Sequence, residues 1–322
     1  MKKVLVTGGA GFIGSNFCNL NREKYEIVAL DNLLLGDEKN LHKDIKFILG
    51  DACDYKTLQN CGKKFDVILH FAGTSSAPMF LPDFDKGYKN SVDSFLNVLK
   101  FAKECGAKKV LYASTSSIYG NQELPLTEEK KVFPTNHYSA SKLFYENSAA
   151  AFQNLNKNID TIGFRFMSVY GPNEEAKGQF ANVLSQFIWD FARNKRPIIF
   201  GDGTQSRDFT NVVDIVSAIT KAIEYDQKLG NEIFNIGTGK AASLNEMIEI
   251  VRETLQTDLE PEYIVNPVKE NYIAAQMADI SKISSVLGFT PSVDLETGIR
   301  NQVRDLRIER IRETSSDLIR NN

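Results

Sequence analysis

Cysteine, histidine and tryptophan are scarce in this chain, and their scarcity removes several chemistries at once. The four cysteines at 18, 53, 61 and 105 and the three histidines at 42, 70 and 137 form no CxxC or HxxxH cluster, so no metal site is expected and the thiols read as reduced and buried. An excess of charge of one sign is also missing. Lys and Arg number 38 against 41 Asp and Glu, a net charge of -3, and basic runs stop at pairs such as Lys63-Lys64 and Lys108-Lys109, which argues against a nucleic-acid partner. Long apolar runs are absent too, so no membrane span is expected. Met1-Lys2-Lys3 enters a short strand directly, without the apolar run and cleavage site of a signal peptide, and the expected location is the cytoplasm.

What is present is a rhythm. Val4-Leu5-Val6, Ile27 to Leu30, Ile45 to Leu49, Val67-Ile68-Leu69 and Val110-Leu111-Tyr112 are short apolar runs of the kind that form buried parallel strands. Helical patterns near 12–23, 54–61, 87–105 and 137–155 separate or follow them. The alternation predicts an α/β fold, a Rossmann-type doubly wound parallel sheet. A sixth strand, Thr161 to Phe166, leads to Tyr170-Gly171-Pro172, a turn signal that opens a smaller α/β lobe. A helix over 212–225 and a strand from Glu232 to Ile236 can return to the main sheet, so the domains are expected to be discontinuous: 1–167 with about 212–237, and 168–211 with 238–322.

Thr7-Gly8-Gly9-Ala10-Gly11-Phe12-Ile13-Gly14 follows the first strand and opens the first helix. Glycines at 8, 11 and 14 suit a tight turn, close phosphate approach and close helix packing, with free N–H groups at the helix start facing a pyrophosphate. Asp31 ends the second strand, about twenty residues past the central glycine, where a carboxylate accepts from ribose hydroxyls. It would repel a 2′-phosphate, and Asn32 to Gly36 bring no basic residue to receive one, so NAD is expected over NADP.

Tyr138 and Lys142 lie four residues apart in Tyr-Ser-Ala-Ser-Lys at the start of a predicted helix, on one face. A phenol is a poor base at neutral pH, but a nearby ammonium and a nicotinamide cation favour its phenolate. Equally, such a pair on a helix can be surface decoration; the spacing alone leaves both readings open.

These elements, with Gly50-Asp51, His70-Phe71-Ala72-Gly73, Ala113 to Gly120 and Arg165 through Pro172, occur in an order that resembles the extended short-chain dehydrogenase/reductase family over essentially the whole chain. The resemblance is strongest to its nucleotide-sugar epimerases, those like UDP-glucose 4-epimerase included. It implies Tyr138 as general base, Lys142 as holder of the nicotinamide ribose, and Thr115 as the group that hydrogen-bonds the reacting hydroxyl. It further implies cofactor contacts from Gly8, Gly11, Phe12, Ile13, Gly14, Asp31 and Asn32, from Asp51 and Ala52 near the adenine, from Phe71, Ala72 and Gly73, and from Ser91, Ser114 and Phe166. For a nucleotide-sugar substrate it implies Thr74, Thr115, Ser116, Ser168 and Lys177. Asn182, Val183, Phe200, Arg207 and Tyr272 complete that wall, with Arg207 on the diphosphate unless it merely pairs with Asp208 in a surface turn.

The implied chemistry is epimerisation: a sugar carbon is oxidised by NAD, the keto sugar turns over, and the hydride returns to the other face. Dehydratases of the family carry Asp-Glu after the Thr115 position, and this chain has Ser116-Ser117. The expected reaction is therefore the 4-epimerisation of a UDP-hexose, UDP-glucose/UDP-galactose or an N-acetyl analogue. Departures from the pattern are Ser168 for Asn, Ser91 for Asn, and Lys269 with Asn271-Tyr272 for Arg with Gly-Asp. Lys177, Lys269 and Tyr272 also resemble ADP-glyceromanno-heptose 6-epimerase, where a lysine at the first position is a second acid-base candidate. A nucleotide-ketosugar reductase is a further alternative. Leu143, Phe144, Ala150 and Ala151 suit the helix-pair interface through which such proteins form homodimers.

Overall fold

A computed structural model describes residues 1–267 and 272–306. Its centre is a seven-stranded sheet, parallel throughout. Residues Lys3–Thr7 form β1, followed by helix α1 (Phe12–Asn21), β2 (Glu26–Asp31), β3 (Lys46–Leu49), α2 (Tyr55–Cys61), β4 (Val67–His70), α3 (Phe84–Cys105), β5 (Lys109–Thr115), α4 (His137–Leu155) and β6 (Asp160–Phe166). After β7 (Ser168–Tyr170) come α5 (Val183–Ala192), β8 (Ile198–Phe200), β9 (Ser206–Arg207), β10 (Phe209–Asn211) and α6 (Val212–Glu224). The remainder comprises β11 (Asn231–Ile236), β12 (Ala242–Ser243), α7 (Leu244–Leu255), β13 (Glu262–Ile264), α8 (Ser281–Leu287) and a helical stretch over 295–306.

The strand order β11-β6-β5-β4-β1-β2-β3 reverses direction between β1 and β4. A crevice opens there beyond the strands' carboxyl ends, the place where such sheets take ligands. Adjacent residues on β1 explain why its sequence is apolar without alternation. Val4 and Val6 enter the core shared with α1, α6 and α8, while Leu5 enters the core shared with α2, α3 and α4. Both faces are covered, so the run Val4 to Val6 is apolar, and the one buried polar side chain of the strand, Thr7 at its end, is hydrogen-bonded to His70 at 2.8 Å. Of the seven strands of this sheet only β3, at the edge, lacks a buried residue, and Leu49 is exposed. Helix α3 starts earlier than the pattern near 87 suggests, because Asp83 caps it and accepts from Lys86 N at 2.9 Å.

β11 pairs with β6 from Asn231 opposite Thr161 to Ile236 opposite Phe166, returning the chain to the main sheet after the excursion through α5 and β8 to β10. The smaller lobe has its own core, built from Leu184, Phe187, Ile188 and Phe191 of α5 against Leu244, Met247, Ile248 and Val251 of α7, with Ile299 and Val303. Its strands form separate pairs, β7 with β10, β8 with β13 and β9 with β12, because each is only two or three residues long. Among the described residues no helix is long and apolar enough to cross a membrane and no cluster of metal-ligating side chains occurs. Cys18, Cys61 and Cys105 are buried free thiols, but Cys53 is only half-buried and borders the crevice.

Candidate active site

The glycine loop turns at Gly8, whose φ of +72° is open to glycine and strained for other residues. A Cβ there would stand 2.6 Å from Ala72 N, and one at Gly14 would stand 2.1 Å from Gly8 O. The two glycines thus let the loop, the β4 exit and the first turn of α1 close on one another. Gly8 N and Gly9 N donate to Leu30 O at 2.8 and 3.1 Å, which fixes the loop to β2. Asp31 at the end of β2 does more than its expected part. Its carboxylate accepts from Ala10 N at 3.0 Å and Leu33 N at 2.8 Å, so it organises the loop as well as bordering the crevice. Burial raises its pKa, opposed by these backbone donors. Asp51 accepts from Cys53 N at 2.8 Å and from Asn32 Nδ2 at 3.3 Å, tying the second and third strand exits together.

On the opposite wall, Asn136 caps α4 with a reciprocal box: its side chain accepts from Ser139 N at 2.9 Å and the Ser139 hydroxyl accepts from Asn136 N at 3.4 Å. This cap sets the first turn, so Tyr138 and Lys142 face the same space. Thr115, at the end of β5, accepts from Ser117 N at 3.1 Å and stands beside the Tyr138 phenol. Burial pushes the Tyr138 phenol up in pKa, against the lowering contact from Thr115; with the chain's own groups alone it is not the lowered phenol that the spacing suggests. Lys142, 4% exposed, is pushed down to about 7 by burial. Behind it His70 is held neutral, by burial first and by the Lys142 charge second.

Beneath this wall lies a buried ion pair. Arg165 on β6 donates from Nε and Nη2 to Glu146 of α4 at 3.0 and 2.8 Å and from Nη1 to the Tyr119 hydroxyl at 2.8 Å. Ser114 donates to the same carboxylate at 2.6 Å, and Tyr119 donates to Asn235 of β11 at 2.7 Å. The network fastens α4 to β5, β6 and β11 directly below the residues that face the crevice.

One cavity of about 630 Å³ connects these groups. Of the expected cofactor positions its wall includes Gly8, Gly11, Phe12, Ile13, Gly14, Asp31, Asn32, Asp51, Ala52, Phe71, Ala72, Gly73, Ser114, Tyr138, Lys142 and Phe166. Of the expected substrate positions it includes Thr74, Thr115, Ser116, Ser168, Lys177, Asn182, Arg207 and Tyr272. Three expected residues stand off the wall. Ser91 is fully buried in α3, where its hydroxyl accepts from Thr74 N at 3.3 Å, so it supports the wall from behind. Val183 begins α5 and packs against the core of the smaller lobe. Phe200 is at the exposed end of β8, its carbonyl taken by Gln205 Nε2 at 2.9 Å. Lys269 and Asn271 lie outside the described residues.

Arg207 does not pair with Asp208. Its guanidinium donates to Ser206 O and Ile273 O, both at 2.7 Å, and lies 5.6 Å from the centre of the Tyr272 ring. The Asp208 carboxylate is buried elsewhere, accepting from Thr238 N, Thr238 Oγ1, Gly239 N and Ala278 N. Arg207 therefore reaches the cavity oriented by backbone carbonyls and the Tyr272 ring, with burial lowering its pKa, and among the described residues no carboxylate takes its charge. Among the wall residues outside the expected set are two buried polar ones, Gln276 and Glu174, for which the sequence carries no signal. Gln276, 6% exposed, accepts from the Ser116 hydroxyl at 3.2 Å, and its Nε2 has no partner among the described residues. Glu174, with no solvent exposure, takes Lys177 Nζ at 2.8 Å, Asn182 N at 2.8 Å and Ser185 Oγ at 2.6 Å.

The residues around the glycine loop fit NAD: a backbone cradle that a Cβ would fill, helix N–H groups for a pyrophosphate, and a carboxylate at the β2 exit with no cation beside it in Asn32 to Gly36.

The chain is similar to known proteins over nearly its whole length. Residues 4–237 match the NAD dependent epimerase/dehydratase family. A putative UDP-glucose 4-epimerase of Methanocaldococcus jannaschii is 33% identical over 306 residues, covering 93% of this chain and 97% of that protein. The ADP-L-glycero-D-manno-heptose-6-epimerase of Brachyspira hyodysenteriae is 33% identical over 317 residues, covering 92% of this chain and 95% of its own. Among solved structures, the UDP-N-acetylglucosamine 4-epimerase of Methanobrevibacter ruminantium, in complex with UDP-N-acetylmuramic acid, superposes with a TM-score of 0.89 at 30% identity, covering 96% of this chain and 99% of that one.

Proposed function

The chain belongs to the NAD dependent epimerase/dehydratase family and is an enzyme of the epimerase type, and on that premise we propose that it inverts C4 of a UDP-hexose through a transient 4-keto sugar. The observation that carries this reading is the meeting, in one cavity, of the glycine loop and Asp31 with Thr115, Tyr138 and Lys142, while Ser116 and Ser117 occupy the positions after Thr115. NAD supplies a hydride acceptor that is restored within each turnover.

The chain's own residues do the rest. Tyr138 takes the proton of the C4 hydroxyl and gives it back, with Thr115 orienting that hydroxyl. Lys142 contributes positive charge beside the phenol, which favours phenolate. Arg207 binds the diphosphate through planar, charge-assisted donors. Gln276 and Ser116 offer polar groups to the hexose. Neither Ser116 nor Ser117 can supply the acid-base pair that elimination of water needs, which supports epimerisation over dehydration. Residues 1–167 with about 212–237 make up the NAD-binding part in this reading, and 168–211 with 238–322 the substrate part.

Epimerisation at C6 of an ADP-heptose is the second reading, favoured by Lys177 and by the 33% identity to the Brachyspira enzyme. The 2.8 Å ion pair with Glu174 ties Lys177 to a buried carboxylate of its own loop and so turns it away from acid-base work on a sugar, which supports C4. Incubation with UDP-glucose, UDP-galactose, their N-acetyl analogues and ADP-heptose, read by anomeric NMR, separates the readings. Interconversion of a UDP-hexose pair is expected; conversion of the heptose alone moves the assignment to C6. Steady consumption of reduced cofactor at 340 nm would instead mark a ketosugar reductase. The working form is proposed to be a cytoplasmic homodimer joined through α3 and α4, where Leu96 and Ala151 are exposed, and light scattering tests the dimer.

A further inference from the structure

Lys142 is buried, and among the described residues it has no acidic partner. Glu146, one turn along α4, is taken up by Arg165 and Ser114. A buried ammonium left alone tends to lose its proton. Two rings face Lys142: its Nζ lies 4.4 Å from the centre of Tyr145 and 6.0 Å from that of Tyr138. The nearer ring is held on several sides. Tyr145 stacks on Phe95, centroids 4.2 Å apart and planes 12° from parallel. Its hydroxyl donates to Ser91 O at 3.0 Å and meets His70 Nε2 at 3.4 Å, and His70 Nδ1 meets Thr7 Oγ1 at 2.8 Å. Side chains and backbone from β1, β4 and α3 thus lock one ring of α4 under the ammonium.

We propose that Tyr145 is a positioning residue for Lys142, its ring face favouring the ammonium form and holding it beside Tyr138 at the cavity wall. This rests on the reading of Tyr138 and Lys142 given above. A ring suits the task better than a carboxylate, because a negative charge beside Tyr138 would oppose formation of its phenolate, whereas an aromatic face attracts the cation and carries no net charge. The titratable groups around the pair are Tyr138 and Tyr145 on α4, His70 on β4 and Tyr112 on β5, whose ring centre lies 6.3 Å from that of Tyr145, with Cys53 facing Tyr145 from the segment after β3. His70 is held neutral there, so it does not compete as a cation. Ser91, which stands off the cavity wall, gains a role: its carbonyl fixes the ring that fixes the lysine.

The test compares Tyr145→Leu, which keeps apolar bulk and removes the face, with Tyr145→Phe, which keeps the face and removes the hydroxyl. Lys142 is titrated by NMR in protein carrying carbon-13 lysine, its signal assigned through Lys142→Arg, and thermal melts establish that each variant is folded. Tyr145→Leu is expected to lower the Lys142 titration by about one pH unit, and the alkaline limb of turnover should move down equally. Tyr145→Phe should leave both near the parent values. A folded Tyr145→Leu protein whose Lys142 titration is unmoved or raised overturns the proposal. If that variant does not fold, Tyr145→Trp replaces it; the stronger face must raise the titration, and a fall or no change overturns the proposal. Because the NMR titration needs no turnover, failure of every nucleotide sugar to react would count against the proposed function and leave this result standing.

Discussion

The ammonium of Lys177 lies 2.8 Å from the carboxylate of Glu174, a residue with no solvent exposure, and 5.4 Å from the centre of the Phe12 ring at the start of α1. The pair joins the loop between β7 and α5 to the helix that faces the cofactor site. Asn16 reinforces the junction by donating to Pro172 O at 2.9 Å, and Asn173 by donating to Ser15 Oγ at 3.1 Å. Lys177 is therefore a fixed cation of the wall. Glu174→Gln leaves that cation without its counter-charge and should destabilise the protein by about 3 kcal/mol in urea unfolding. The double variant Glu174→Gln/Lys177→Met should lose less than the sum of the single changes; strict additivity would mean the pair carries no coupling.

Tyr138→Phe removes only the hydroxyl. The ring still fills its place beside α4, so the variant should fold and retain NAD. Turnover should fall by about 10² to 10⁴, the usual contribution of a positioned acid-base group. Near-parent turnover on the nucleotide sugar identified by the NMR panel would remove Tyr138 from the mechanism.

Arg165→Met strands the Glu146 carboxylate with Ser114 as its remaining side-chain donor. A loss of about 3–5 kcal/mol is expected, and chemical denaturation measures it. Because the pair links α4 to β6, the variant should also weaken the register of Tyr138 against Thr115, seen as a fall in turnover at temperatures where the protein is still folded. A loss below 1 kcal/mol would show that Glu146 finds another partner.

Lys142 gives a pH signature of stability. Its folded pKa, near 7, lies below the ordinary lysine value of 10.5, so between these limits the unfolded chain holds a proton that the folded one does not. Stability from this residue therefore rises with pH across that window and is least below pH 7. In protein freed of cofactor, Lys142→Met should remove up to about 1.4 kcal/mol per pH unit of that slope between pH 7.5 and 8.5. Urea titrations at three pH values check it, and parallel slopes in parent and variant would refute the lowered lysine.

The strand-helix alternation, the glycine loop, Asp31 and the Tyr138/Lys142 pair could be read from the chain because each depends on neighbours a few residues away. Strand runs such as Val4-Leu5-Val6 are apolar because both sheet faces are covered, and the helix period puts residues four apart on one side whatever the rest of the protein does. The partners of buried groups depend on packing between distant segments, and only the tertiary structure decides them. Gln276 meets Ser116 across 160 positions, and Tyr145 meets His70 across 75. The same packing withdraws Ser91, Val183 and Phe200 from the cavity wall, separates Arg207 from Asp208 and gives Lys177 its carboxylate. Charge states follow packing for the same reason: desolvation depends on how many atoms surround a group, which the order of residues alone does not state.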